Sequence, residues 1–221
     1  MQRHFDEELG RLKERLLSMA SHADRSVTNA VNAVMERDDN LAAQVKTEDT
    51  VLDAFEKEID EMAIGLLALQ APLASDLRLI TITMKISHDL ERVGDEATTI
   101  ARRAIELNQE PPLKIQVDIR KMAGMGLTML HQAIDAFVNR EPAKAREIVP
   151  RDKEVDALNK QIYRKLAAFA MEDPQTMSSC WNLMVVSKSL ERIADHATNI
   201  AEEVVYLYEG RDIRHNKQEI R

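Results

Sequence analysis

Four pairs of acidic residues share one spacing: Asp49/Asp53, Glu91/Asp95, Asp152/Asp156 and Glu191/Asp195. On a helix, residues four apart project from one face about one turn apart. Like charges so placed repel, at a cost of a few tenths of a kcal/mol in an isolated helix. Something must offset that repulsion. Arg92 and Arg192, each three residues before an Asp, could do so by ion pairing. A bound cation is the other candidate. Carboxylate oxygens on neighbouring helix faces make an oxygen-rich site, suited to hard or intermediate ions such as Mg²⁺, Mn²⁺, Fe or Ca²⁺. No matched His or Cys argues for a structural zinc site. His196 follows Asp195, but Glu96 stands at the corresponding place, so His196 is at best an auxiliary ligand in one half; His88 is likewise unmatched. The plainer alternative is that these pairs are solvated helix faces with arginine partners.

The pairs recur because the chain repeats itself. Ser87–Leu107 (SHDLERVGDEATTIARRAIEL) and Ser187–Leu207 (SKSLERIADHATNIAEEVVYL) align without a gap and match at ten of twenty-one positions. Asp49/Asp53 in EDTVLDAF and Asp152/Asp156 in RDKEVDAL form the second duplicated element, with Ala54/Ala157 and Lys57/Lys160 in register. An internal duplication follows. Each half then carries one acidic pair on its second helix and one on its third, and antiparallel neighbours could bring the two together.

The elements that must position these residues are helices. Positions 86, 90, 93, 97, 100, 104 and 107 are apolar, as are their counterparts one hundred residues later. Steps of four and three describe the buried seam of a bundle helix. A first helix spans about Arg3–Arg37, with Phe5, Leu9, Leu12, Leu16, Met19, Ala23, Val27, Ala30 and Val34 as its seam. Asp38-Asp39-Asn40 stops it and caps a short helical piece to about Lys46. A second helix runs to Gln70 on Leu52, Phe55, Ile59, Met62, Leu66 and Leu69, and Ala71-Pro72 ends it. Ser75 or Asp76 caps a third helix, which reaches about Asn108. The linker Gln109–Pro112 separates the halves. In the second half, Glu141-Pro142 opens a short helix that Pro150 breaks, and a helix follows from about Arg151 to Glu172. Asp173-Pro174 starts the last one, which stops near Glu209-Gly210. The expected fold is all-α: two antiparallel three-helix bundles in tandem, residues 1–110 and 113–210, with a polar tail at 211–221.

Composition narrows the function. The chain has 221 residues, a net charge of −8 and only 4% aromatics. The basic face that a nucleic-acid backbone requires is not evident. The single cysteine, Cys180, excludes an intramolecular disulfide and reads as a small buried residue in a reducing compartment. The charged, periodic N-terminus is not a signal peptide, and the longest apolar run, Met62–Leu69, is far short of the ~20 residues that span a bilayer. Phosphate-loop and dinucleotide-binding signatures are absent, and no Glu precedes a His by three residues as in di-iron bundles. A metal at the surface would be hydrated and exchangeable, a poor setting for catalysis.

Pro72–Ile80 (PLASDLRLI), Leu90–Asp95 (LERVGD), Leu190–His196 (LERIADH) and Glu209–His215 (EGRDIRH) together resemble the PhoU family, and the resemblance covers essentially the whole chain. It implies tandem three-helix bundles whose E(D)xxxD motifs bind metal at the surface. Matched residue by residue, those motifs fall on Asp49/Asp53, Glu91/Asp95, Asp152/Asp156 and Glu191/Asp195, with Mn, Mg, Fe or Zn as the ion. The second copy departs from the family's Arg-x-Gly-Asp: it has Ala194 where the first has Gly94, a methyl expected to tighten access to the second site. The resemblance further implies a non-enzymatic regulator of phosphate homeostasis. Such a protein couples the ATPase subunit of a phosphate ABC transporter to a sensor histidine kinase, represses the phosphate-starvation response and restrains uptake. It is a cytoplasmic homodimer held at the inner membrane only through partners. The competing reading is a metal-storage protein or metal-dependent helical enzyme without a signalling role; a third is a helical scaffold with no metal.

Overall fold

A computed structural model describes residues 2–70 and 72–214, and among these every regular element is helical. The elements are α1 (Gln2–Glu36), α2 (Asp39–Gln70), α3 (Ala74–Asn108), α4 (Ile119–Asn139), α5 (Pro142–Ile148), α6 (Asp152–Glu172) and α7 (Met177–Glu209). Single 3₁₀ turns at Val149–Arg151 and Pro174–Thr176 precede α6 and α7. Ala71 and residues 215–221, including His215 and most of the expected polar tail, lie outside the described residues.

The apolar seams pack as their spacing requires. Ile86, Leu90, Val93, Ala97, Ile100, Ala104 and Leu107 are all buried, and so are Val186, Leu190, Ile193, Ala197, Ile200, Val204 and Leu207. In the first unit α1, α2 and α3 pack on one another; in the second, α7 receives α4, α5 and α6. The cores of the two units are continuous, because α3 packs on α7 as extensively as on α1 and α2. This seam is antiparallel. Lys85 bonds Glu203 (3.0 Å), Asp89 faces His196 (2.8 Å), Arg192 donates to Glu96 (3.0 Å) and Arg103 to Asn182 (3.3 Å) along its length.

Three local expectations need correction. First, the short piece ending near Lys46 and the helix to Gln70 are one continuous α2 of 32 residues. No proline or glycine interrupts Lys46–Thr50, so the helix propagates; in the second half Pro150, which lacks an N–H, forces the 3₁₀ turn that separates α5 from α6. Second, neither Ser75 nor Asp76 caps α3. The cap position is Leu73, extended and without a side-chain bond, and Asp76 lies in the first turn, where its charge complements the helix dipole. Third, Leu69 is 79% exposed rather than core, at the α2–α3 tip beside exposed Leu73. The equivalent α6–α7 tip exposes Met171, Met177 and Trp181.

The repeat extends to its punctuation. Arg37 and Arg140 occupy equivalent positions after α1 and α4, and both are left-handed, with φ 57° and 58°. Arg37 offsets that backbone cost by donating to the carbonyls of Leu107 (3.0 Å) and Asn108 (2.9 Å), which ties α1 to the end of α3. Asp38 Oδ1 accepts from the N–H groups of Asn40 and Leu41 and caps α2, as expected. At the end of the chain Gly210 takes φ 69° and closes α7.

Candidate metal centres

Each acidic pair on the second long helix of a unit faces the pair on the third. In the first unit the partners are Asp49 and Asp53 on α2 with Glu91 and Asp95 on α3, all half-buried. Burial raises the Asp49 carboxyl above its ordinary range, and the charges of Asp95 and Asp53 push the same way; a 3.0 Å bond from Thr98 Oγ1 opposes them. Burial also raises Glu91, followed by the charge of Asp95. Arg92 bonds Asp95 at 3.0 Å and reaches Glu91 Oε2 only at 3.5 Å. That oxygen is buried and accepts no hydrogen bond.

The second unit packs its carboxylates more tightly. Asp152, at the start of α6, and Asp195 on α7 face each other closely enough to share a proton. Burial first, then the charges of Asp152 and Glu191 and the bond with Asp152, push Asp195 up to about 7; Lys188 opposes them. Asp152 is raised by burial and then by Asp156. Its Oδ1 is buried and accepts no hydrogen bond from the protein. Lys188 makes an ion pair with Glu191.

Within each unit the expected carboxylates feel one another's charge, Asp49 with Asp53 and Asp95, Glu91 with Asp95, and Asp152 with Asp156, Glu191 and Asp195. Among the described residues, however, the ligand atoms found within 4.8 Å of one another are those of Glu56, His88 and Glu91. The chemistry of the eight carboxylates fits a cation: all donors are oxygens, several are held above their normal range first by burial and then by neighbouring charges, and each group of four contains a buried acceptor with no hydrogen-bond donor. Asp49, Asp53, Glu91 and Asp95 would hold one ion or group of ions; Asp152, Asp156, Glu191 and Asp195 would hold the other. A divalent cation there would neutralise the repelling carboxylates.

Other expectations fail at this level of detail. Arg192 does not pair with Asp195; it crosses the seam to Glu96. His196 turns its Nδ1 across the seam to Asp89 on α3 rather than to the second group of carboxylates. The difference between Gly94 and Ala194 is not a matter of access to a metal. A Cβ at Gly94 would stand 2.2 Å from Leu52 Cδ1 in the core, so the glycine makes room for a leucine. Val155, one methylene smaller, stands at the equivalent place in the second half, where alanine is accommodated.

Beside the first cluster, Glu56 escaped notice and His88 was weighed only as an unmatched histidine. Glu56 accepts or shares a proton with His88 at 3.0 Å, and both neighbour Glu91. Their signal was present in the spacing. Asp49, Asp53, Glu56 and Asp60 continue one acidic stripe along α2, and His88, Glu91 and Asp95 continue another along α3. Matching the halves against each other set them aside, because Asn159 and Lys188 hold the equivalent positions.

Known proteins share this arrangement of helices. The sequence model of the PhoU domain matches residues 16–104 and again 119–204. A protein of Rhizobium meliloti described as a "Phosphate-specific transport system accessory protein PhoU homolog" is 40% identical over 207 residues, 93% of this chain and 87% of its own. A Pseudomonas aeruginosa protein of the same description is 41% identical over 212 residues, covering 96% and 88%. Among solved structures, PhoU from Pseudomonas aeruginosa superposes with a TM-score of 0.90 at 40% identity, over 94% of this chain and 100% of that one. The phosphate transport system regulatory protein PhoU from Streptococcus pneumoniae superposes with a TM-score of 0.86 at 27% identity, over 94% and 98%. With both copies of the repeat matched and the fold shared over 94% of its length, the chain belongs to the PhoU family.

Proposed function

We propose that this protein is a regulatory adaptor of phosphate transport and of the phosphate-starvation response. The observation that carries the reading is the match over more than nine-tenths of the chain to relatives described as accessory proteins of a phosphate-specific transport system. In this reading the chain contacts the ATPase subunit of a phosphate ABC transporter and a sensor histidine kinase. When phosphate is plentiful it holds the kinase in its repressing state and restrains uptake. Residues 1–110 and 113–210 act as two repeats, with 211–221 as a tail. The protein works without catalysis, as a homodimer, from the cytoplasmic side of the membrane.

Physical features support an adaptor. The exposed Leu69 and Leu73 at one hairpin tip, and Met171, Met177 and Trp181 at the other, offer apolar anchors of the kind that protein contacts use. No helix among the described residues is long and apolar enough to cross a membrane; in this reading the partners hold the protein at the membrane. The two carboxylate clusters bind divalent ions, which neutralise their repulsion and fix α2 against α3 and α6 against α7.

Deleting the gene tests the regulatory role. In phosphate-rich medium the deletion strain should secrete starvation-induced phosphatase at the level otherwise reached only on starvation. The intact gene should restore the low level. Phosphatase that stays low in the deletion strain would remove the repressing role.

A further inference from the structure

The two halves fill equivalent positions with different chemistry. In the second half Lys188 presents its ammonium to Glu191. Nearby Asn159 is buried and accepts a 2.6 Å hydrogen bond from Ser187. The register of the repeat puts His88 where Lys188 stands, Glu91 where Glu191 stands, and Glu56 where Asn159 stands. The first half has therefore exchanged a fixed cation and a neutral amide for an imidazole and a carboxylate. One potential ligand atom from each of Glu56, His88 and Glu91 lies within 4.8 Å of the other two. The Oε2 atom of Glu91 is buried and receives no hydrogen bond, its nearest cation being the Arg92 guanidinium at 3.5 Å, whereas its counterpart on Glu191 is bonded by the lysine.

The surroundings favour a cation over an anion. Glu56 and His88 line a cleft of about 600 Å³ that also carries Asp60, Asp89 and Glu203. Its two cations, Lys85 and Arg214, are both committed to Glu203, at 3.0 and 2.9 Å.

We propose that Glu56, His88 and Glu91 form a transition-metal site present only in the first half, for a borderline divalent ion such as Zn²⁺. One imidazole nitrogen and two carboxylate oxygens would bind the ion, and the cleft leaves its remaining positions to water. Lys188 supplies the corresponding positive charge in the second half. Imidazole suits Zn²⁺ and its neighbours in the transition series, while Mg²⁺ prefers oxygen alone, so the site separates the two. It goes beyond the acidic clusters, with which it shares only Glu91.

Ring-nitrogen resonances of the full chain labelled with ¹⁵N-histidine, titrated with Zn²⁺ at pH 7.5, test the site. The His88 resonances, assigned by their loss in His88→Gln, should shift with the first equivalent of Zn²⁺ and stay in place with excess Mg²⁺. Calorimetry should show Zn²⁺ affinity in His88→Gln falling by roughly tenfold or more, the scale on which even supporting partners of a ligand act. The side chain of His88 is 56% exposed, so this variant folds. Lys188→Met should leave the His88 response unchanged and allow an additional ion in the second half. Zn²⁺ that leaves the His88 resonances unmoved, or binds His88→Gln as tightly and in the same ratio, overturns the proposal. Mn²⁺ titration separates the two ideas: if Mn²⁺ still binds while Zn²⁺ ignores His88, this inference falls alone. If Mn²⁺ fails to bind the parent chain, the reading of the acidic clusters falls with its own evidence.

Discussion

Asp195→Asn should make the metal-free chain more stable at pH 7.5. The group is held up to about 7, first by burial and then by the charges of Asp152 and Glu191. An aspartate in the unfolded chain titrates near its ordinary 3.8. Between those values the folded chain keeps a proton that the unfolded chain has released, so stability falls as pH rises through that window and is lowest above about 7. Allowing for solvent screening of a half-buried group, ionisation costs the fold on the order of 1–2 kcal/mol. An amide of the same shape removes that cost and can donate to Asp152. For a chain of this size the gain corresponds to roughly 2–8 °C in melting temperature. Melting curves with a chelator from pH 5 to pH 8 should show the parent weakening and the variant nearly level. With Mn²⁺ added the ranking should reverse, because the parent gains the ion and the variant has lost a ligand. A variant that melts earlier than its parent at pH 7.5 without metal would mean the carboxylates do not oppose one another.

Gly94→Ala should destabilise the protein although it adds a good helix former. Alanine for glycine inside an exposed helix gains about 1 kcal/mol. Here the new Cβ would lie 2.2 Å from Leu52 Cδ1, and Leu52 is itself buried in the core. Relieving that overlap costs about 1–3 kcal/mol in rotamer strain or in separation of α2 from α3. Because Leu52 is held in the core, the clash offsets the propensity, and a net loss of up to about 2 kcal/mol is expected in urea unfolding. The same change made on Leu52→Val should instead be neutral or stabilising, because valine is what the second half pairs with Ala194. This change of sign between backgrounds is the measurement; additive effects would show that Gly94 and Leu52 do not constrain each other.

The sequence disclosed what repeats and what is periodic. Duplication fixed the pairing of acidic positions, and the apolar steps from Ile86 to Leu107 marked the buried seam. What escaped depends on contacts across helices. A long arginine reaches several neighbours, so Arg192 could choose Glu96 over Asp195 for reasons that spacing along α7 does not contain. The isolation of Leu69 follows from its place at a hairpin tip, where the helix outruns its partners. Continuity of α2 was legible in principle, because only the second half carries the proline that breaks the helix; reading the halves as equal imposed a break on both. The same habit concealed Glu56 and set His88 aside as unmatched, though both matter through being unlike their counterparts.

The seam between α3 and α7 has one more consequence. Its bridges run from Lys85–Glu203 at one end to Arg103–Asn182 at the other, and midway between them stand Val93 and Ile193, equivalent residues of the repeat. The helix pair is therefore close to two-fold symmetric in its backbone, like the interface of a dimer joined into one chain. Its side chains are not. A half-turn about that axis would carry Glu203 onto Arg103 and Lys85 onto Val185. A partner lying across the seam meets a shape that permits two orientations and a charge pattern that permits one. Duplication supplied the shape, and divergence of the copies gave it polarity.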